Sequence, residues 1–549
     1  MKTTKHLPAF FILFFYTILS LFRLGHPYAP STSWEAEEKA TPIFLDFGEE
    51  KDFSALVFYL GNYENRRFAV QVGSGSPIRW TDLGEITIRR VYQWSRFPLK
   101  ARGRYLRLTT LNQYTEIREM LVKDGEGALI LPVNKANYPR LFDESRMYPG
   151  YGSFLSGTVF DESVFARTAY EHLHGLRSYE DTHPPLGKLI ISLGIAGFGM
   201  NPFGWRIAGV IAGSLLLLVV WAFGLRLFSD RRVSVGVLLL LAFDCLHFTE
   251  SRLGQVDSFL VLFMTGMNYF MFRYYEVMVE GDGKKSWRFL LGSGLCMGLA
   301  ASCKWSGLYG GLGLALIWFA VVLSRGKKGQ MSQKEFLSTC GFCCLAFILL
   351  PIAVYLLSYI PYVAFDETMG FWERVLANQK NMLQYHLHVG SEHESASAWF
   401  QWLCSAKPVR LLTVHFSDGD MEGLVLMGNP AFWWTGIAVV FFCLYQMAEK
   451  AEGRLGFLLT AYAAPILPWM GISRYSFLYH YYPSIPFLVL LIGYWAEKRG
   501  RWGKCCLGLC VLASAVCFCL FYPVISALRV PQGYVAGWLE WLPGWDFIS

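Results

Sequence analysis

Residues 205–225 read WRIAGVIAGSLLLLVVWAFGL, an apolar run with a single charged residue, at its second position. A helix of about 20 apolar residues crosses the ~30 Å hydrocarbon core of a bilayer. Comparable runs recur along the last two-thirds of the 549-residue chain, in which 54% of the residues are hydrophobic and 17% are aromatic. The sequence therefore predicts a polytopic α-helical membrane protein.

About eleven transmembrane helices are predicted. The first apolar run, residues 7–22, follows Lys2 and Lys5. No small-x-small cleavage site follows it, which favours a retained helix over a cleaved signal peptide. The other runs lie near residues 205–225, 233–249, 255–274, 288–303, 306–323, 337–359, 430–447, 455–471, 477–495 and 505–523.

The charge distribution predicts the orientation. A net charge of +7 could suggest nucleic-acid binding, but Lys and Arg cluster in short loops between the apolar runs. Alternate loops are basic, which is typical of the cytoplasmic side of a membrane. These basic loops are residues 226–232, 273–288, 325–334, 449–454 and 497–504. We expect a plasma-membrane protein with a cytoplasmic N-terminus, an external C-terminus and no nucleic-acid partner.

Between residues 27 and 145 the pattern changes to short stretches of alternating polar and apolar residues, such as RFAVQVG (67–73) and RYLRLTTL (104–111). Alternation of this kind predicts strands. The pattern weakly resembles a discoidin-like or galactose-binding-like β-sandwich, which we expect outside the cell. Trp80, Tyr92 and Trp94 could stack on a sugar, although filling the core of the domain is the favoured interpretation.

These patterns divide the chain into seven segments. They are a first transmembrane helix (1–26), the β-sandwich domain (27–145), a first external loop (146–204), transmembrane helices 2–7 (205–360), an external loop (361–429), transmembrane helices 8–11 (430–525) and an external tail (526–549).

Neither a disulfide framework nor a metal site is predicted. The thirteen Cys residues begin at Cys245 and nearly all lie within apolar runs. A group of histidines and acids after the seventh span resembles a metal cluster, but a His-x-His pattern in a polar loop has low specificity. Its members are His386, His388, Glu392, His393 and Glu394.

Isolated charges near the outer ends of the spans are the candidate functional residues. They could be anchors at the lipid interface, but several outer connections each supply one cation and an acid pair lies on the same side, which favours a shared polar site. Cations suit a lipid-linked phosphate and a carboxylate can accept the proton of an attacking hydroxyl. The candidates are Asp161, Glu162, Asp181, His183, Arg252, Asp257, Lys304, Arg474 and His480.

Several long motifs resemble the protein O-mannosyltransferase family. The stretch FDESVFARTAYEHLHGLRSYEDTHPPLGK (160–188) is similar to the first external loop of that family. Later family segments are matched in the same order by residues 242–259, 302–310, 427–434 and 467–487. The likeness is to the bacterial branch, which has no MIR domains, although the β-domain stands where typical members have a short loop.

The resemblance implies a GT-C glycosyltransferase, similar to glycosyltransferase family 39, with an inverting mechanism. Its donor would be polyprenyl-phosphate-mannose, used as a substrate with no tightly bound cofactor. The acceptors would be Ser and Thr hydroxyls of exported polypeptides, with the export translocon as a further partner.

The resemblance also implies roles for the candidate residues. Asp161 would be the general base, with Glu162 beside it. The donor phosphate would be bound by Arg252, Lys304, Arg474, His183 and Lys188, with Asp181, Asp257 and His480 as further members of the site.

Two other functions stay open. Another GT-C enzyme that glycosylates a lipid or a cell-wall glycan would share the acid and the cations. A sugar-binding receptor or a transporter is less favoured, because a transporter should show internal repeats and charges near the bilayer midplane.

Overall fold

The computed structural model describes residues 6–280, 286–363, 369–388, 394–472 and 474–548. The chain divides into two compact units. The helical unit comprises Met1–Phe22, Glu171–Leu193 and Arg206–Ser549, and the β unit comprises Arg23–Tyr170 and Gly194–Trp205.

The α-helices of the described residues, in chain order, are α1 Leu7–Leu21, α2 Glu162–Leu173, α3 Leu186–Phe198, α4 Pro202–Leu227, α5 Arg231–Ala242, α6 Cys245–Ser251, α7 Asp257–Tyr275, α8 Trp287–Cys303, α9 Gly307–Lys327, α10 Gln333–Cys344, α11 Leu350–Val363, α12 Phe371–His388, α13 Trp399–Trp402, α14 Pro430–Glu449, α15 Gly453–Ala463, α16 Ile485–Lys498, α17 Gly500–Ser526 and α18 Gln532–Trp538. A π-helical segment, Leu345–Leu349, joins α10 to α11.

Each apolar run of the sequence contains a helix. Among the described residues, five helices are long and apolar enough to cross a membrane: α4, α9, α10 with α11, α14 and α17. The bent pair α5 and α6 would be a sixth if it forms one span. The chain is therefore a multi-pass helical membrane protein, and the number of eleven spans stays a prediction.

The bend between α5 and α6 has a local cause. Their axes meet at 61°, and the buried Asp244 lies between them as the N-cap of α6, where its side chain accepts a hydrogen bond from the His247 amide at 3.1 Å. The same carboxylate accepts the Trp433 indole N–H at 3.0 Å. A side chain that caps a new helix start ends the preceding one.

Small residues on α8 allow a close approach to the helix that α10, the π-helical segment and α11 form together. A Cβ atom at Gly294 would lie 1.8 Å from the Ala346 carbonyl oxygen, and one at Gly298 would lie 2.8 Å from Pro351 Cα. Side chains at these positions would separate the two helices, as is general for small-residue helix interfaces in membranes.

The β unit contains the strands β1 Trp34–Ala36, β2 Pro42–Leu60, β3 Arg66–Ser74, β4 Arg79–Ile88, β5 Trp94–Thr110, β6 Thr115–Asp124 and β7 Leu129–Ile130. They form one antiparallel sheet in the order β1-β6-β2-β5-β3-β4, with β7 paired to β6. The sequence predicted a β-sandwich of short strands. The strands join in one sheet because β2 and β5 are long and stay paired through irregularities between Asp46 and Lys51 and between Phe53 and Ala55.

The aromatic residues singled out in the β unit lie mainly in its core. Tyr92 and Trp94 are buried, and Trp94 packs against Tyr59 with ring centroids 5.1 Å apart. Trp80 is half-buried, with the Arg107 guanidinium 4.3 Å from its ring centroid. The core interpretation is therefore confirmed for Tyr92 and Trp94.

A second sheet lies in the helical unit. Strands β8 Val409–His415, β9 Asp420–Leu426 and β10 Arg529–Pro531 pair antiparallel in the order β10-β9-β8. Arg529 on β10 forms ion pairs with Asp418 and Asp420. Through this sheet, the predicted external loop (361–429) pairs with the chain after α17. The sequence predicted these two parts as separate segments.

Candidate functional site

The loop before α3 is built around the buried carboxylate of Glu180. This carboxylate accepts hydrogen bonds from the Thr182 amide at 2.8 Å and the Thr182 hydroxyl at 2.6 Å. His183 Nδ1 lies 3.0 Å from the same oxygen, and the Lys188 ammonium forms an ion pair with the other. Glu180 therefore holds the backbone and the histidine of the loop in one arrangement.

Lys188 serves this loop rather than an open site. Its side chain is fully buried, and its ammonium donates to the Glu180 carboxylate, to the Glu180 carbonyl at 3.1 Å and to the His183 carbonyl at 2.8 Å. A lysine has three ammonium hydrogens, and all three have acceptors. The predicted contact of Lys188 with a donor phosphate does not fit this arrangement.

The charge state of Glu180 follows from these contacts. Burial disfavours the carboxylate, but the charges of Lys188 and His183 and their hydrogen bonds outweigh burial and hold the pKa of Glu180 well below its ordinary value. A depressed folded-state pKa stabilises the fold above the ordinary Glu pKa of about 4.3, and this contribution is lost as the pH falls below that value.

Replacing Glu180 with glutamine should destabilise the helical unit, because the buried Lys188 ammonium would lose its counter-charge. Removing one partner of a buried ion pair costs about 3–5 kcal/mol of unfolding free energy. Thermal unfolding of the full-length protein in detergent should show a lower midpoint for Glu180→Gln. The double variant Glu180→Gln/Lys188→Met should recover most of the loss, and a double variant no more stable than the single one would contradict this role.

Asp257 and Lys304, both predicted site residues, form an ion pair. Asp257 is the first residue of α7, and Lys304 follows the last residue of α8. The Lys304 ammonium lies 3.0 and 3.2 Å from the two Asp257 oxygens and 5.1 Å from the Tyr479 ring centroid. The carboxylate therefore fixes the position of a cation at the junction of two helices.

Arg474 is held by His386, a residue near the end of α12. Arg474 Nη1 donates to His386 Nδ1 at 2.8 Å, and His386 Nε2 lies 3.0 Å from the Thr182 carbonyl oxygen. Both contacts fit a neutral imidazole that is protonated on Nε2. Burial, then the neighbouring His183 and Arg474, lowers the pKa of His386 to about 4. At neutral pH the positive charge of this pair therefore resides on Arg474.

Lys304, His386 and Arg474 line a common cavity of about 340 Å³. The rings of His183 and His386 lie 5.5 Å apart, which brings the loop before α3 to this cluster. The other lining residues are Trp305, Ser306, Tyr309, Leu383, Leu387, Trp469, Gly471 and Ile472. Two fixed cations and aromatic walls form a site suited to an anionic group with an attached ring.

A second cavity, of about 750 Å³, adjoins the first. Both are lined by Trp469, Ile472 and Arg474. The lining of the second cavity is rich in polar side chains, which are those of Glu394, Ser397, Gln401, Lys407 and Ser476. Arg474 therefore lies where an anionic group in the smaller cavity could meet a polar molecule in the larger one.

Two further predicted residues lie beside this cluster. His480 is buried, with its ring centroid 4.0 Å from that of Trp469 and 5.7 Å from that of Trp402, so it supports the wall of the cavities. The Asp181 carbonyl accepts a hydrogen bond from the Asn378 side chain at 2.7 Å. Burial, then the charge of Glu180, raises the pKa of the Asp181 carboxyl.

Arg252 has a different set of neighbours. It is buried and donates to the carbonyls of Ser20 at 3.2 Å and Phe22 at 3.0 Å, at the C-terminal end of α1. Cations are favoured at this end of a helix, where the last carbonyls have no partner within the helix. These contacts give Arg252 an anchoring role for the first helix, and its contact with a phosphate stays a prediction.

Asp161 and Glu162 lie in the β unit, at the start of α2. Glu162 is fully buried, and its carboxylate accepts the Val159 amide at 3.0 Å. Asp161 is half-buried, and its carbonyl accepts the amides of Val164 and Phe165. Glu162 therefore holds the turn that precedes its own helix, and the role of Asp161 as general base stays a prediction.

Glu180 was not among the predicted site residues, and His386 was considered only as a metal ligand. Glu180 stands next to Asp181 in YEDTHPPLGK, and the pattern by itself does not say which acid faces Lys188. Of the other possible ligands near His386, His393 and Glu392 lie outside the described residues. Glu394 forms an ion pair with Arg410 at 3.1 Å, and His388 Nδ1 contacts the Gln384 carbonyl at 2.8 Å.

The chain is similar to bacterial proteins named polyprenol-phosphate-mannose–protein mannosyltransferase. The protein of Mycolicibacterium smegmatis is 27% identical over 70% of this chain and 87% of its own length. The protein of Corynebacterium glutamicum is 25% identical over 71% of this chain and 89% of its own length.

Among solved structures, the protein O-mannosyltransferase Pmt1-Pmt2 complex of Saccharomyces cerevisiae bound to the sugar donor has a chain of similar fold. The TM-score is 0.63 at 15% identity, and the match covers 71% of this chain and 89% of that one. The shared fold is the GT-C fold of membrane glycosyltransferases.

Two family models match consecutive segments. Residues 182–355 match the model described as dolichyl-phosphate-mannose-protein mannosyltransferase, and residues 371–545 match the C-terminal four TMM region of protein-O-mannosyltransferase. The matched segments contain His386 and both cations of the smaller cavity. The chain belongs to the protein O-mannosyltransferase family.

Proposed function

We propose that the protein transfers mannose from a polyprenyl-phosphate donor to Ser and Thr hydroxyls of exported polypeptides, with inversion at the sugar. The observation that carries this proposal is the cavity lined by Lys304 and Arg474, in a chain whose relatives are named as protein mannosyltransferases that use polyprenol-phosphate-mannose. The donor is a substrate, and the reaction needs no tightly bound cofactor.

The reaction forms a bond between the acceptor hydroxyl oxygen and C1 of mannose and breaks the bond from C1 to the phosphate oxygen. The hydroxyl proton passes to a carboxylate, for which Asp161 is the candidate. The polyprenyl phosphate leaves with an added negative charge. Fixed cations that are already oriented towards this charge lower the barrier, because they need no reorganisation during the reaction.

The smaller cavity is the proposed binding site of the donor phosphate. Lys304 is fixed by Asp257 and Arg474 by His386, so both cations are oriented before the donor binds. His183 lies beside His386 and could donate a further hydrogen bond. Asp181 and His480 support the surrounding loop and wall.

The larger cavity is the proposed binding site of the acceptor. Its polar lining suits an extended peptide, whose backbone amides and carbonyls need hydrogen-bonding partners. Because Arg474 lines both cavities, they adjoin, and the acceptor hydroxyl would approach C1 of mannose on the face opposite the phosphate, as inversion requires.

The polyprenyl chain is proposed to occupy a third cavity, of about 410 Å³, along α9. It has a strongly apolar lining that includes Leu308, Gly311, Leu312 and Trp318. Leu308 is next to Tyr309 of the smaller cavity on the same helix. Because lipid tails are as apolar as this lining, an isoprenoid chain would gain from close packing in the cavity and not from leaving water.

Filling this cavity should weaken binding of long donors only. Gly311→Leu would place four additional carbon atoms at the cavity and should raise the KM for a long polyprenyl donor about tenfold, the effect of about 1.4 kcal/mol of lost binding. The KM for a donor with a short prenyl chain should stay within twofold of wild type. Ala320→Leu, at an exposed position of the same helix outside the cavity, is the matched control. An equal rise for both donors would contradict this assignment.

The topology is also part of the proposal. Eleven spans with a cytoplasmic N-terminus would place the β unit, residues 361–429 and the C-terminal residues outside the plasma membrane, as the basic inner loops indicate. The substrates would then arrive from the export translocon on that side.

The test is transfer of radiolabelled mannose from polyprenyl-phosphate-mannose to a Ser/Thr peptide, in membranes that contain the protein. Label released from the peptide by β-elimination would support the proposal. If the donor is consumed but only lipid or glycan is labelled, the protein is a glycosyltransferase whose acceptor is not a polypeptide. No donor consumption by well-expressed protein would overturn the function.

A further inference from the structure

Three carboxylates in the β unit form a group that the transfer reaction does not use. Glu119 lies on β6, and Asp143 and Glu144 lie in the loop before the short helix Ser145–Met147. One oxygen atom from each side chain lies within 4.8 Å of the other two. Glu119 is fully buried, Glu144 is half-buried and Asp143 is exposed, so the group opens from the interior towards solvent.

One oxygen of the buried carboxylate has no hydrogen-bond donor. Glu119 Oε2 accepts the Glu144 amide at 2.9 Å, whereas the described residues offer no partner to Oε1. A buried carboxylate oxygen without a partner is costly, because water no longer solvates it. The carboxyl group that takes part in the acidic group thus has one buried oxygen without a protein donor.

The remaining contacts of the group are to neutral donors. Ser31 donates to Glu144 through its amide at 2.7 Å and its hydroxyl at 2.9 Å. The Thr32 amide lies 3.0 Å from Glu144, and the Thr32 hydroxyl lies 3.0 Å from Asp143. No ion pair joins these three acids to a Lys or Arg of the described chain.

Two other buried acids of this protein have a cationic partner. Glu116, on the same strand as Glu119, pairs with Arg118 at 3.2 Å, and Glu180 pairs with Lys188. The group around Glu119 therefore lacks the positive charge that compensates Glu116 and Glu180.

We propose that Glu119, Asp143 and Glu144 bind a calcium ion. All the converging ligands are oxygens, which suit a hard divalent cation, and the open side leaves room for the waters that complete six to eight ligands around calcium. The ion would link β6, through Glu119, to the loop at 143–144, which Ser31 and Thr32 also contact.

The test is equilibrium binding of radiolabelled calcium chloride to the purified full-length protein in detergent, without donor or acceptor. Wild type is compared with Glu119→Gln, with Asp143→Asn and with Glu126→Gln, a control at an exposed acid of the same unit. We expect one high-affinity ion on wild type and on Glu126→Gln, and at least a tenfold loss of affinity in the other two variants.

Asp143→Asn is included because it should fold like wild type. Its exposed side chain contacts only Thr32 among the described residues. Calcium should also raise the thermal unfolding midpoint of wild type, since a ligand that binds only the folded state stabilises it. This rise should be absent in both variants. Saturable calcium binding that is unchanged in Asp143→Asn and Glu119→Gln, or no binding to wild type, would overturn the proposal.

Discussion

Asp161→Asn should lower kcat for mannosyl transfer by about 10³-fold, with little change in the KM for the donor. A positioned general base contributes about 10²–10⁴-fold, and the amide of Asn cannot accept the hydroxyl proton. The measurement is the initial rate of peptide labelling at saturating donor, normalised to the amount of folded protein. The KM for the donor should stay unchanged because the proposed phosphate contacts come from the helical unit.

The neighbouring acid provides the contrast. Glu162 is fully buried and accepts the Val159 amide. Glu162→Gln should therefore lower the thermal unfolding midpoint, whereas the kcat of the folded fraction should change little. Glu126→Gln, at an exposed acid of the β unit, should match wild type in both. Full activity of Asp161→Asn would show that the base lies elsewhere. A 10³-fold loss in Glu162→Gln alone would transfer the role to that residue.

Arg474→Gln should lower kcat by about 10²–10³-fold, the loss expected when one preorganised group that stabilises a developing negative charge is removed. The side chain keeps some hydrogen-bonding capacity towards His386 but loses its charge. Arg474→Lys should retain part of the activity, because the charge remains while the planar donor geometry is lost. The rates are measured with the same peptide assay.

The control for Arg474 is Arg529→Gln, which removes a partly exposed cation of the helical unit that lines neither the smaller nor the larger cavity. It should keep wild-type kcat. Because His386 is already neutral at pH 7, its titration should leave no step in the rate of wild type between pH 6 and 8. Equal kcat values for Arg474→Gln and wild type would exclude this cation from the transition state.

Local patterns were sufficient to predict the elements. Each apolar run contains a helix, α3 begins directly after Pro184 and Pro185, and the alternating stretches of residues 27–145 form strands. These features depend on neighbours within a few residues, through hydrogen bonds and side-chain periodicity, so they can be inferred from short windows of the chain. The family motifs likewise indicated the correct family, because they are contiguous.

The partners of the charged side chains could be known only from the tertiary structure. Glu180 rather than Asp181 faces Lys188, and Arg474 meets a histidine 88 positions away in the sequence. The three ammonium hydrogens of Lys188 all have acceptors within its loop, and the strands that were predicted as short include the long β2 and β5. Such outcomes depend on burial and on contacts between distant segments, which decide where each charge finds a counter-charge or a carbonyl.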